Sequence, residues 1–76
     1  MSIVLREAKK YAHTQEIASD TWVITHNRGL NYPIVDCFID ENGDTYKVMP
    51  LSVEITSDSV VTVRWSSERA GKALVA

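Results

Sequence analysis

The sequence predicts an all-β fold, a small antiparallel β-sandwich or open barrel of roughly six to seven short strands. Apolar side chains recur at every second position in several stretches. Trp22, Ile24 and His26 oppose Val23 and Thr25, and Val61, Val63 and Trp65 oppose Val60, Thr62 and Arg64, the alternation of half-buried strands. Residues that reverse the chain separate these stretches at intervals of about eight to twelve positions. No stretch carries the 3.6-residue apolar period of an amphipathic helix.

Taken in order, Ser2 to Lys10 reads as a strand, with Ile3, Leu5 and Glu7 opposed to Val4, Arg6 and Ala8. The same residues also read as the first turns of a helix, because Ala8, Lys9 and Lys10 are good helix formers. Tyr11 to Ile17 alternates more loosely, and Ala18-Ser19-Asp20 is small and polar, the composition of a loop. Thr21 to His26 follows as a strand. Asn27, Gly29 and Asn31 tolerate positive φ and make a turn, and Tyr32-Pro33 holds the chain extended on its way out. Pro33 to Asp40 is almost wholly apolar or β-branched and is expected to cross the middle of the fold.

Asn42-Gly43 then specifies a tight hairpin, since both central residues of that turn need positive φ. Thr45 to Val48 returns antiparallel and ends at Met49-Pro50, because proline donates nothing to a ladder. Leu51, Val53 and Ile55 alternate with Ser52, Glu54 and Thr56, which predicts an inward face made by the first three. Ser57-Asp58-Ser59 is a turn before the strand from Val60 to Trp65. Ser66 to Ala70 reads as a polar connection, Gly71 as a loop or bulge position, and Lys72 to Ala76 as a closing strand.

A chain of 76 residues holds one domain, spanning residues 1–76, with residues 1–10 as an N-terminal arm. A core this small yields only a few kcal/mol, so the fold gains from a staple. Cys37 is the single cysteine, which excludes an internal disulfide, and no set of Cys and His around it matches a zinc site. Oligomerisation, or docking on a larger assembly, is the remaining staple. The net charge is −2, and the basic residues are scattered apart from Lys9-Lys10, so no stripe exists to neutralise a run of phosphates. Nucleic acid is not an expected partner. Neither is a membrane, because Met1 to Leu5 runs straight into Arg6 and Glu7, far short of an apolar signal or span. Folding in a cytoplasm is the expectation.

Catalytic, cofactor and metal residues are all expected to be absent. Asp40-Glu41-Asn42-Gly43-Asp44 begins like a calcium loop, but Thr45 occupies the place of the sharp-turn glycine and Leu51 that of the bidentate glutamate. An ordinary hairpin accounts for it. His13 and His26 are potential bases for Ser19 or Cys37, yet His26 shares its strand side with Trp22 and Ile24 and reads as a core histidine. Cys37 lies among Val35, Phe38 and Ile39 with no cation beside it in sequence, the setting of an inert buried thiol. Trp22 and Trp65 fall on inward faces, which leaves Tyr32 and Tyr46 as the exposed aromatics, suited to a glycan or to a protein partner.

The order of motifs adds a resemblance. Tyr11-x-His13-x-Gln15, Trp22-x-Ile24-x-His26-Asn27, Gly29, Tyr32-Pro33, Asp40-x-Asn42-Gly43 and Gly71-Lys72-Ala73 together resemble a small β-sandwich module of tailed bacteriophages. It is found in tail fibres, tail spikes, baseplate parts and capsid-surface proteins, and the likeness covers about residues 11–76. The resemblance implies a non-enzymatic structural protein of the virion, a decoration, cement or tail and baseplate component present in many copies. Its partners would be other virion structural proteins and further copies of itself; the alternative is a receptor- or glycan-binding module on the particle surface. The sequence departs from the pattern at His26-Asn27-Arg28-Gly29-Leu30, where the leucine stands beyond the glycine, and at Trp65, where phenylalanine is usual. The loop so altered, with Arg28, Leu30 and Tyr32, and Tyr46 after the hairpin, are the expected partner contacts.

Overall fold

A computed structural model describes residues 10–76. It contains five strands: β1 (Tyr11–Thr25), β2 (Val35–Glu41), β3 (Asp44–Val48), β4 (Ser52–Ile55) and β5 (Val60–Val75). Every pairing is antiparallel, and the described residues include no helix. The all-β class expected from the alternation is the class found. The choice between strand and helix for residues 2–10, and the arm, fall almost wholly outside the described residues.

The sheet is open, with strand order β1-β5-β2-β3 and β4 also paired to β5. The segment from Pro33 to Asp40 is interior as expected, with β2 lying between β5 and β3, but the strand that most others pair with is β5. One edge of β5 pairs with β1, and the other takes β4 at Val61 to Arg64 and β2 at Lys72 to Val75. The burial of Val61, Thr62 and Val63 in succession reflects that central place, since side chains on both faces are covered. Thr62, expected to face out, is buried with its hydroxyl 2.7 Å from that of Thr56.

Two segments expected to be loops, Ala18 to Asp20 and Ser66 to Ala70, lie inside β1 and β5, which is why five long and short strands replace six or seven. Both sit where the register slips. From Gln15 to Ser19 the chain advances four residues while its partner moves only from Gly71 to Arg69, and from Ser19 to Thr21 it advances two while the partner moves from Arg69 to Arg64. Extra residues on one strand and then on the other bend and twist the ribbon, and small, polar or charged side chains occupy the places where the ladder is interrupted.

The bend is sharp. Trp22 is the register partner of Val63, yet its ring edge lies against Gly71. Eight residues of straight strand would separate those two positions by about 26 Å, so β1 and β5 must fold back over themselves. The inner faces of the two halves meet in one core, with Trp22, Ile24, Val61, Val63 and Trp65 from one half and Cys37, Ala73 and Val75 from the other. The two tryptophan rings pack at 4.9 Å with a 55° tilt, a favourable aromatic geometry. Gly71 is needed at the crossing: a Cβ there would collide with the carbonyl oxygen of Phe38.

The hairpin forms as expected, with Asn42 at φ 53° and Gly43 at φ 85°. The inward face expected of β4 is only partly realised. Val53, opposite Val63, is half-buried, but Leu51 is 71% and Ile55 46% exposed. Alternation sets the side to which they point, and the described chain supplies nothing on that side to cover them.

Candidate interaction surface

The loop after β1 is built on backbone bonds to the turn before β5. The amides of His26 and Asn27 donate to the Ser59 carbonyl at 2.8 and 3.2 Å, and that of Leu30 donates to the Asp58 carbonyl at 2.8 Å. Asn27 (φ 52°) and Gly29 (φ 64°) take the left-handed conformations that their residue types permit. The loop is thus a fixed surface. Of its expected contacts, Arg28 is exposed with its guanidinium 5.9 Å from the centroid of Tyr11, and Tyr32 is 92% exposed. Leu30 is different: it is half-buried and packs against the core, so it anchors the loop.

Tyr46 lies across from Ile39 in the β2–β3 ladder, so it shares the face of that buried side chain while remaining 49% exposed. Val48, across from Cys37, continues the same row. Beyond it runs the connection Met49-Pro50-Leu51, with Met49 87% exposed. Grooves of about 250 and 320 Å³ flank this connection. The first is walled by β2, β3 and β4 with the Lys47–Asp36 ion pair (3.3 Å) among them, and the second by Trp65, Ser66 and Arg69. Met49 and Leu51 form an apolar ridge that sequence reasoning missed, since a Met-Pro pair reads only as a strand end and the alternation points Leu51 inward. The signal available was the shortness of β3 and β4, too short for either to cover the other.

The groups with chemical potential are dispersed, and most of them are held by local hydrogen bonds. His13 Nε2 lies 2.8 Å from Gln15 Oε1, and its ring packs beside Trp22. His26 is buried, and its Nδ1 accepts from the Arg28 amide at 3.1 Å, which places the proton on Nε2, an atom left without a partner. The Ser19 hydroxyl donates to the Thr21 carbonyl at 2.9 Å. Cys37 is buried, and burial, with the neighbouring Asp36 carboxylate adding to it, pushes its thiol up to about 11. In the turn, the Thr45 hydroxyl donates to Asp40 Oδ1 at 2.6 Å, which closes the hairpin. Among the described residues no three His, Cys, Asp or Glu side chains converge as a metal site would require. No described helix is long and apolar enough to cross a membrane. No protein-family model, curated protein or solved structure matches the chain.

Proposed function

We propose that the chain is a non-enzymatic structural component of a tailed-bacteriophage particle, a small β-sandwich present in many copies and held by contacts with virion proteins and with further copies of itself. The observation that carries this reading is the apolar ridge at Met49 and Leu51, 87% and 71% exposed on a domain whose described residues include only nine buried apolar side chains. Side chains of this size left in water next to strand edges that no described strand pairs are what a surface made for burial against neighbours presents. Each assembled copy is then stabilised by mass action through everything it touches. The motif order from Tyr11 to Ala73 supports the particle as the setting, and a decoration, cement, tail or baseplate position each satisfies it.

Purification of particles on a density gradient, followed by quantitative mass spectrometry, tests the proposal: the protein is expected to remain with particles at a fixed multiple of the portal copy number. Its absence from washed particles would sink the reading. A receptor- or glycan-binding role is the second reading, favoured by the 92% exposure of Tyr32, since sugar rings stack on open aromatic faces. Binding of the purified protein to a glycan array, abolished by Tyr32→Ala, would decide for it.

A further inference from the structure

We propose that two copies of the chain pair through the outer edge of β3, antiparallel about a two-fold axis at Tyr46, so that the sheet continues from one copy into the next. The inference rests on the reading of the chain as an assembly component and specifies one of its contacts. Among the described residues β3 ends the strand order and is bonded on its β2 side alone, and Asp44 to Lys47 are all exposed. An edge of this kind offers a row of backbone donors and acceptors to another strand.

Charge distribution identifies the occupant as a second copy. An antiparallel two-fold lays the Asp44 end of each β3 beside the Val48 end of the other. At the first end, Glu41 and Asp44 face each other across the ladder, and neither has an ion-pair partner among the described residues. At the second end lies the groove of about 320 Å³ with Arg69, whose guanidinium rests 6.0 Å from the Trp65 centroid and likewise has no carboxylate partner among the described residues. A single rotation brings the acidic end of each copy toward the unpaired cation of the other, twice over.

The apolar surface agrees with the same axis. Centring the register on Tyr46 sets Asp44 opposite Val48 and Thr45 opposite Lys47. Each half-exposed Tyr46 ring then covers its counterpart, and the 87%-exposed Met49 comes under the partner's hairpin. Centring on Lys47 would instead oppose two ammonium groups. The other edges left unpaired among the described residues serve less well: the β1 ladder is interrupted by the slips between Gln15 and Thr21, and β4 has only four residues.

The test is a set of single cysteines, Tyr46→Cys against Thr45→Cys and Lys47→Cys, in the otherwise intact chain under mild oxidation, with sedimentation equilibrium of the wild type. Cys37 is buried and does not compete. The expected result is a wild-type dimer, and a disulfide-linked dimer that forms at least about tenfold faster for Tyr46→Cys than for its neighbours, because only the residue on the axis meets itself. Arg69→Glu is expected to weaken the dimer about tenfold, and its combination with Asp44→Arg to restore it. Melting curves confirm that each variant is folded. A wild-type monomer at the highest soluble concentration overturns the pairing, as does cross-linking without preference for position 46. Retention in particles despite either result would leave the assembly reading intact and remove this contact alone.

Discussion

The indole N–H of Trp22 donates to the backbone carbonyl of Arg69 at 3.0 Å and is shared with the carbonyl of Ser19 at 3.1 Å. Ser19 and Arg69 are themselves register partners at the point where the β1–β5 ladder slips. A bulge leaves carbonyls without their ladder donors, and a buried or half-buried acceptor without a partner is costly. One side chain therefore fastens both sides of the bend while its rings fill the core beneath it.

That arrangement makes the two tryptophans unequal. Trp22→Phe removes a shared donor and leaves two backbone acceptors short, at an expected cost of about 2 to 3 kcal/mol. Trp65→Phe removes an indole N–H that is buried with no acceptor. The loss of buried ring area is then offset by release of an unsatisfied donor, and the change is expected to stay within about 1 kcal/mol. Urea unfolding of both variants checks the ordering, and equal losses would refute it.

The glycines are unequal for a similar reason. At Gly71 an added methyl group meets the Phe38 carbonyl, which is fixed in the β2 backbone and has little freedom to move. Gly71→Ala is expected to cost about 2 kcal/mol or more and to loosen the β2–β5 pairing, read as faster amide exchange from Val35 to Phe38. At Gly43 a methyl group meets open space, and only the positive φ of 85° opposes it. Gly43→Ala is expected to cost about 1 kcal/mol.

Alternation made the core legible from sequence: Trp22, Ile24, His26, Val61, Val63 and Trp65 all point inward as their spacing implies, and Asn42-Gly43 turns the chain where expected. The bend was not legible. Ala18-Ser19-Asp20 and Ser66 to Ala70 have the composition of loops because a bulged ribbon, like a loop, exposes its backbone and carries small, polar or charged side chains. What distinguishes the two is a bond formed 47 residues away, from Trp22 to Arg69, and local composition holds no trace of it. The central place of β5 was hidden for the same reason, since the polar middle of that strand divided it in two. At the surface, exposure of Tyr32 and Tyr46 followed from their turn and hairpin neighbours, whereas the fate of Leu30, Met49 and Leu51 depended on which strands cover which, a matter of tertiary packing.

Cys37 provides a test of the closed core by pH. Its thiol is raised from 9.0 to about 11 in the folded chain, chiefly by burial and then by Asp36. Between those values the native state holds a proton that the unfolded state has released, so unfolding is favoured as pH rises. The stabilisation is complete below about pH 9 and is lost toward pH 11, up to about 2 kcal/mol. Unfolding free energies measured across that range should fall more steeply for the wild type than for Cys37→Ala. Parallel slopes would mean that the thiol ionises as readily in the fold as out of it.

The ridge separates stability from assembly. Met49 and Leu51 are 87% and 71% exposed, so replacing both with serine removes little buried area and should change unfolding free energy by no more than about 0.5 kcal/mol. Val63→Ala, by contrast, empties a fully buried site and should cost about 2 kcal/mol. If the ridge is what neighbouring subunits cover, the stable double serine variant is expected to be lost from gradient-purified particles, while the less stable Val63→Ala protein is retained so long as it folds. The opposite ranking, with retention following stability, would show that the ridge takes no part in the contact and that the exposed methionine and leucine are incidental to the fold.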